Sequence, residues 1–598
     1  MNDMTRPGNP APGLMDTLAQ LAAEMRVVDE HLAQEIDQKV RARLAELSNG
    51  FSLLQIALAW IDWASHLAIS PGRLWLMNEA LLRKLAALGV HNARSVLGLD
   101  AEPVARLSDS RLASDNWKRW PFSGMAQSWL LAKEYWTGAT CEVVGARAES
   151  LELMEFVFNQ MLEAGSPANF PMTNPDVIAT TLRERGANLV RGLNHAVQDL
   201  RRRREGALPP GAENFQVGRE VACTPGKVVY QNRLVELIQY SPTTAEVDAE
   251  PVFFVPAWIG KYYILDLAPK NSMVRYLVEQ GKTVFMLSWK NPGPEDSALG
   301  MEDYLTHGVL EPLAAVNAII PNRKVDAVGY CIGGTLLYIA AAHLAGREER
   351  FNSLTIFAAQ ADFTEAGEIR ALLGESIFAQ LEALMRKRGV LEAEQMGSSF
   401  AALRSGDLIW GPAVDRYLLG KEAPMSELMA WNADGTRMPH RMHSQYLRSL
   451  YLDNDLSEGR FKVQGRTISL GDITAPIFVV GTVTDHVAPW QSVYKIHRLN
   501  GGDVTFLLTT GGHNAGIVSG PVHPRRKHQV HTRKRGDHYM DPETWQATVP
   551  VQEGSWWPVW VEWLKARSSG QTTPPALGAP RKGYRPLRDA PGEYILER

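Results

Sequence analysis

The sequence predicts an α/β fold: a mostly parallel sheet with helices on both faces and a cap insertion, preceded by a mainly helical N-terminal region. Two observations carry this. Beyond residue 226, short runs that are apolar along their whole length alternate with stretches of helical character. Strands without a polar face belong in a sheet covered on both sides. In addition, residues 326–334 (Asp-Ala-Val-Gly-Tyr-Cys-Ile-Gly-Gly) set a cysteine between one such run and an apolar helical stretch.

In chain order, residues 14–47 have strong helical propensity with charges of both signs. Residues 51–69 (FSLLQIALAWIDWASHLAI) are apolar but carry Gln55, Asp62 and His66. Burying those mid-bilayer is costly, so this is no transmembrane segment but an amphipathic helix, packed on protein or lying on an apolar surface. Asn174-Pro175 is a helix start, and apolar residues at helical spacing continue from it to the basic run Arg201–Arg204. Residues 206–218 have the Pro/Gly content of a linker. The expected division is therefore 1–212 as helical region and linker, and 213–598 as a catalytic domain. Within the latter, 227–230 and 234–240 read as a hairpin turning at Gln231-Asn232. Further strands are expected at 252–255, 283–288, 324–329, 354–358, 477–481 and 504–508. The gap between 358 and 477 leaves room for a cap, about 361–470, with a helix over 365–388. Residues 568–598 should run extended along the surface.

The net charge of −4 gives no electrostatic case for nucleic acid or an anionic membrane, and 45% apolar content is that of a globular protein. Cys141, Cys223 and Cys331 are far apart with no CxxC, which argues against a disulfide framework and fits a reducing, cytoplasmic setting. Residues 1–13 are polar, without the apolar core of a secretory signal.

The pattern Gly329-x-Cys331-x-Gly333 between strand and helix is a nucleophile elbow with a thiol in place of the usual serine. Small neighbours are needed because the turn is tight. The sulfur then meets the positive end of a helix, which favours an anionic sulfur, and the Ile332 N–H is placed to bond an oxyanion. By itself a buried cysteine is more often a small hydrophobe. In the α/β-hydrolase fold, however, an acid and then a histidine follow on loops after two later strands. Asp485 follows 477–481 and His513 follows 504–508, so both stand where that template wants them. Ile259, in the loop after 252–255, is the candidate second oxyanion donor. His523, His528, His531 and His538 lie among arginines and lysines; this stretch reads as an exposed basic loop, with no metal site. Trp556, Trp557, Trp560 and Trp563 should dock a C-terminal helix on the sheet.

These residues resemble the polyhydroxyalkanoate synthases. The likeness runs through GYCIGG (329–334), WNADGTRMP (431–439), YLRSLYLDNDL (446–456), TDHVAPWQSVYK (484–495), GGHNAG (511–516) and GSWWPVWVEWL (554–564). It is close to continuous from about residue 150 and loose over the first hundred. The resemblance implies polymerisation of 3-hydroxyacyl-CoA into polyester, with Cys331 as nucleophile and Asp485 and His513 as acid and base. It implies no cofactor, since CoA is part of the substrate and a product. Tyr330 before the cysteine is nearer the single-subunit, short-chain enzymes that use 3-hydroxybutyryl-CoA. A homodimer on the surface of the polymer granule, in contact with the growing polyester chain, is implied as well. The counterpart of Asp485 assists the attacking hydroxyl directly or orients the histidine; both remain open. Asn514 departs from the apolar residue expected after the histidine. A thioesterase or polyester depolymerase of the same fold would share these residues, and a non-catalytic granule scaffold would keep only the sheet.

Overall fold

In the computed structural model, which describes residues 30–48 and 50–598, the apolar runs beyond residue 226 form a sheet of eleven strands among the described residues. Along the chain these are β1 (Gly226–Gln231), β2 (Val235–Tyr240), β3 (Val252–Val255), β4 (Val284–Trp289), β5 (Val325–Tyr330), β6 (Phe351–Phe357), β7 (Ile477–Thr482), β8 (Val504–Thr509), β9 (Lys527–Arg533), β10 (Val551–Glu553) and β11 (Arg588–Asp589). Their spatial order is β10-β9-β8-β7-β6-β5-β3-β4-β2-β1-β11. The six strands from β4 to β8 in that order run parallel. Both flanks are antiparallel. Every residue of β3, β4, β5, β7 and β8 is buried, which is why these runs show no polar alternation. After β3 the chain moves one way to β4 and then returns to the other side for β5. That reversal opens a crevice at the carboxyl ends of β3 and β5, where ligands bind in such sheets.

Seven helices precede the sheet among the described residues: α1 (Glu30–Leu47), α2 (Leu53–Ala68), α3 (Pro71–Val96), α4 (Phe122–Thr140), α5 (Ala148–Ala164), α6 (Pro175–Arg183) and α7 (Ala187–Arg204). Residues 14–29 of the helix expected over 14–47, and the polar stretch 1–13, lie outside the described residues. Trp63 of α2 anchors this region: its ring meets Phe158 edge-on at 5.3 Å and its indole N–H donates to the Ala139 carbonyl at 2.9 Å. Its neighbours Leu53, Leu54, Leu58, Trp60 and Ile61 are exposed, so α2 is a core helix on one side only. Among the described residues no single helix is long and apolar enough to cross a membrane; α2 and α3 reach that length only across an 89° bend.

Four expectations are corrected. The helix from Asn174 is two helices, because Arg185 and Gly186 take φ of 53° and 86° and break the run; Asn174 does cap α6 by accepting from the Asp176 and Val177 amides. The helix expected over 365–388 is a short 3-10 turn, Glu368–Leu372, followed by α9 (Glu375–Arg388). The basic stretch 523–538 is no exposed loop: its middle is β9, paired along its length with β8, with His528 and Gln529 buried. An antiparallel flank strand can satisfy its backbone through the ladder while carrying few apolar residues, so no apolar run marks it. The C-terminal tail is not merely laid on the surface, since β11 extends the sheet beside β1 and Ile595 is buried.

Between β5 and β6 lies α8 (Ile332–Leu344), all thirteen residues of it buried. Between β6 and β7 the cap segment contains α9, α10 (Ala393–Leu403) and α11 (His440–Tyr446). The N-terminal helices touch this segment: the Gln55 amide oxygen accepts from the Ile377 N–H at 3.1 Å, and Ser52 and Ser376 share a hydrogen bond at 2.8 Å. The last helix, α12 (Trp557–Lys565), docks on the sheet through its tryptophans. Trp560 is fully buried, packs on Phe254 and Phe357, and donates to the Thr355 hydroxyl at 3.0 Å. Trp560→Ala is expected to lower stability by about 3–5 kcal/mol, read as a fall in the urea midpoint; an unchanged midpoint would mean that α12 does not hold the sheet.

Candidate active site

Strand β5 ends at Tyr330, and Cys331 takes φ 53° and ψ −131° before α8 begins at Ile332. An L-residue holds such backbone only under constraint from its surroundings. Three glycines supply the room. A Cβ on Gly329 would stand 2.4 Å from the Gly334 Cα, one on Gly333 2.3 Å from the Val255 carbonyl oxygen, and one on Gly334 2.6 Å from the Ala359 Cβ. The Cys331 amide donates to the Phe357 carbonyl at the end of β6, locking the turn to the sheet. Ile332 opens α8, where first-turn amides have no helical acceptor.

Asp485 lies in the loop after β7 with its side chain fully buried. One carboxylate oxygen accepts from the Val487 and Ala488 amides, each at 2.9 Å. The other accepts from the Thr482 hydroxyl at 3.2 Å and faces His513 Nδ1 at 2.8 Å. Burial pushes this carboxyl up, but the His513 charge and the hydrogen bonds outweigh it and hold it below the usual range. His513 sits in the loop after β8. Burial opposes its charge, yet the Asp485 carboxylate and then the Cys331 side chain carry the imidazole well above its ordinary value. With Nδ1 turned to Asp485, Nε2 is the ring nitrogen left for the sulfur. The three residues read as nucleophile, acid and base are thus brought together.

The His513 loop is braced from several sides. Trp556 and Trp557 donate to the carbonyls of Gly516 and Ile517 at 3.0 and 2.9 Å. Arg526, read from sequence as part of an exposed basic loop, donates to the carbonyls of Thr510 and Ala515 at 3.0 and 2.8 Å. Asn514 accepts from the Tyr330 phenol, so the residue before the sulfur is tied to the residue after the imidazole. Nothing in the spacing reveals that pair, although the unusual polar residue at 514 marks where to look. His528 does not join a metal set: its Nδ1 bonds to the Gly554 carbonyl, and no group of three His, Cys, Asp or Glu gathers as metal ligands among the described residues.

Above Cys331 is a cavity of about 330 Å³. Ile259 and Ile332 line it next to the sulfur, the cap contributes Leu372, Ile377, Leu381 and Met396, and Phe51 reaches in from the N-terminal region. His443, Tyr446 and Tyr451 complete the wall. Sequence reasoning passed over these three; their spacing on and after α11 is that of a helix face, which points equally to core packing.

A thiol at the switch point of a parallel sheet, on a turn of this kind, defines the class of protein: residues 250–519 match the family model for the alpha/beta hydrolase fold. Two narrower models also match, "Poly-beta-hydroxybutyrate polymerase (PhaC) N-terminus" over residues 108–277 and "Poly-beta-hydroxybutyrate polymerase N terminal" over residues 31–73. The chain is 36% identical to the poly(3-hydroxyalkanoate) polymerase subunit PhaC of Rhizobium meliloti, covering 82% of this chain and 80% of that protein. It is 35% identical to the poly(3-hydroxyalkanoate) polymerase of Methylorubrum extorquens, covering 94% and 90%. With the PhaC subunit of Cupriavidus necator it shares 32% identity, covering 90% of each. The chain belongs to the poly(3-hydroxyalkanoate) polymerase family. The likeness reaches further forward than the sequence motifs suggest, into the first hundred residues.

The Asp485–His513 pair makes stability depend on pH. Asp485 lies below its ordinary 3.8, so its contribution is complete above that value and lost as pH falls through the folded pKa. His513 lies above its ordinary 6.5, so its contribution is complete below 6.5 and lost as pH rises through the folded pKa. The stability difference between the protein and its Asp485→Asn variant, from thermal unfolding, should therefore be largest between pH 3.8 and 6.5 and shrink on both sides. A difference flat from acid to alkaline pH would show that the two are not paired.

Proposed function

We propose that this chain is a polyhydroxyalkanoate synthase, polymerising 3-hydroxyacyl-CoA through an acyl group carried on Cys331, with 3-hydroxybutyryl-CoA as its short-chain substrate. The observation that carries this reading is the buried Asp485–His513 pair serving a strained cysteine on the floor of an apolar cavity. His513 takes the proton from Cys331, and the sulfur attacks the thioester carbonyl. The tetrahedral oxyanion rests on the Ile332 N–H and, as second donor, the Ile259 N–H. The bond to coenzyme A breaks, and the CoA sulfur leaves with the proton from the imidazolium. In the next step a 3-hydroxyl gives its proton to His513 and attacks the cysteine-bound acyl carbon. An ester forms, the C–S bond breaks, and the Cys331 sulfur is free for another substrate. Asp485 keeps the imidazole in the tautomer that this needs.

The scheme draws on no cofactor. The cap, taken as about residues 361–470 of a catalytic domain 213–598, keeps out water that would hydrolyse the acyl-enzyme. The apolar residues exposed on α2 and α3 of the N-terminal region support contact with a polyester granule in the cytoplasm, and the reading takes the enzyme as a homodimer there.

Supplied with 3-hydroxybutyryl-CoA, the protein should release CoA and deposit insoluble polyester, and Cys331→Ala should release none above background. Soluble 3-hydroxy acid as the product would instead mark a thioesterase or depolymerase, and unchanged CoA release by the variant would remove Cys331 from the chemistry. Across 3-hydroxyacyl chain lengths, CoA release should fall beyond the short-chain members.

A further inference from the structure

The cavity above Cys331 is lined mainly by aliphatic and sulfur-bearing side chains, and its wall contains one imidazole. That imidazole is His443, on the first turns of α11, and it is 3% exposed. Its Nδ1 is buried without a hydrogen-bond partner in the protein. The ring lies nearly parallel to that of Tyr446, with centroids 6.2 Å apart. Burial pushes its pKa down to about 3, and a neutral imidazole carries one donor and one acceptor. The phenols of Tyr446 and Tyr451 close the same wall.

Leaving a buried nitrogen unpaired costs free energy that an apolar residue of the same size would not. A polar group held at that cost, in a chamber that is mostly apolar apart from Gln395, Ser398, Ser399 and the two tyrosines, is suited to a ligand that brings its own hydrogen-bonding atom. Beyond the thioester itself, a single 3-hydroxyacyl unit in this chamber would have one polar position, the oxygen on C3. It is a hydroxyl in the incoming unit and an ester oxygen once the unit is built into the chain. We propose that His443 is a specificity-determining residue that hydrogen-bonds the C3 oxygen of the acyl group bound above Cys331, so that 3-hydroxyacyl thioesters are distinguished from plain acyl thioesters. The inference rests on the reading of this cavity as the acyl site of a synthase. A site that hydrogen-bonds a substrate hydroxyl disfavours the analogue lacking it, because the buried polar group is then left unpaired.

The test compares single-turnover CoA release from 3-hydroxybutyryl-CoA and from butyryl-CoA, which can acylate Cys331 but has no hydroxyl. His443→Phe should slow release from 3-hydroxybutyryl-CoA by about tenfold to a hundredfold, bring butyryl-CoA to at least its original rate, and leave the melting temperature no lower. His443→Gln, which keeps a donor and an acceptor, should retain much of the discrimination. If His443→Phe does not fold, His443→Met carries the same comparison. Equal slowing of both substrates, or no change in either, overturns the inference while leaving the synthase reading intact. No CoA release from either substrate by the unaltered protein would instead overturn the synthase reading beneath it.

Discussion

The constraint on which the site depends is a steric one: backbone against backbone at the end of β5. Gly329, Gly333 and Gly334 let the turn carrying Cys331 sit closer to β3, to its own helix and to Ala359 than any side chain would allow. The price of that approach is a residue at φ 53°, and the sheet supplies the rigidity to hold it there. Because β5 is hydrogen-bonded to β3 on one side and β6 on the other, the turn cannot relax without breaking a buried ladder. The sulfur is thereby presented at the crevice where the sheet reverses its winding, above a helix N-terminus and beside the loop of Ile259.

Electrostatics complete what the steric constraint begins. A carboxylate as buried as Asp485 persists only because its oxygens are saturated, by two amides, one hydroxyl and one imidazole. Its partner is held as firmly: Trp556, Trp557, Arg526 and the Tyr330–Asn514 bond all restrain the loop of His513. These braces come from chain segments before and after His513, so the geometry of Cys331, Asp485 and His513 is a property of the whole sheet.

The cap and the N-terminal helices do a different job. Together they turn an open crevice into a chamber with mostly apolar walls. The wall departs from plain apolar packing at His443 and its neighbouring tyrosines, and again at Gln395, Ser398 and Ser399.

Much of this was legible in the residues themselves. Continuous apolar runs at 252–255, 283–288, 324–329, 477–481 and 504–508 announce buried parallel strands because neither face of such a strand meets water. Gly-x-Cys-x-Gly announces a tight turn because only small residues fit one. Asp485 and His513 stand out by their order along the chain, and the structure sets His513 between Asp485 and Cys331. The Arg185–Gly186 break, the polar strand β9 and the sheet-building tail were not legible, since a left-handed residue in a helical pattern and a ladder of backbone hydrogen bonds leave no periodic trace. Local sequence, then, determined which strands are buried and which residue types could react, because burial and turn geometry act over a few positions. Only the tertiary structure decided that Arg526 braces a loop, that Asn514 meets Tyr330 and that His443 and Cys331 line one cavity, because those pairings join positions from about ten to nearly two hundred residues apart that only the folded chain brings together.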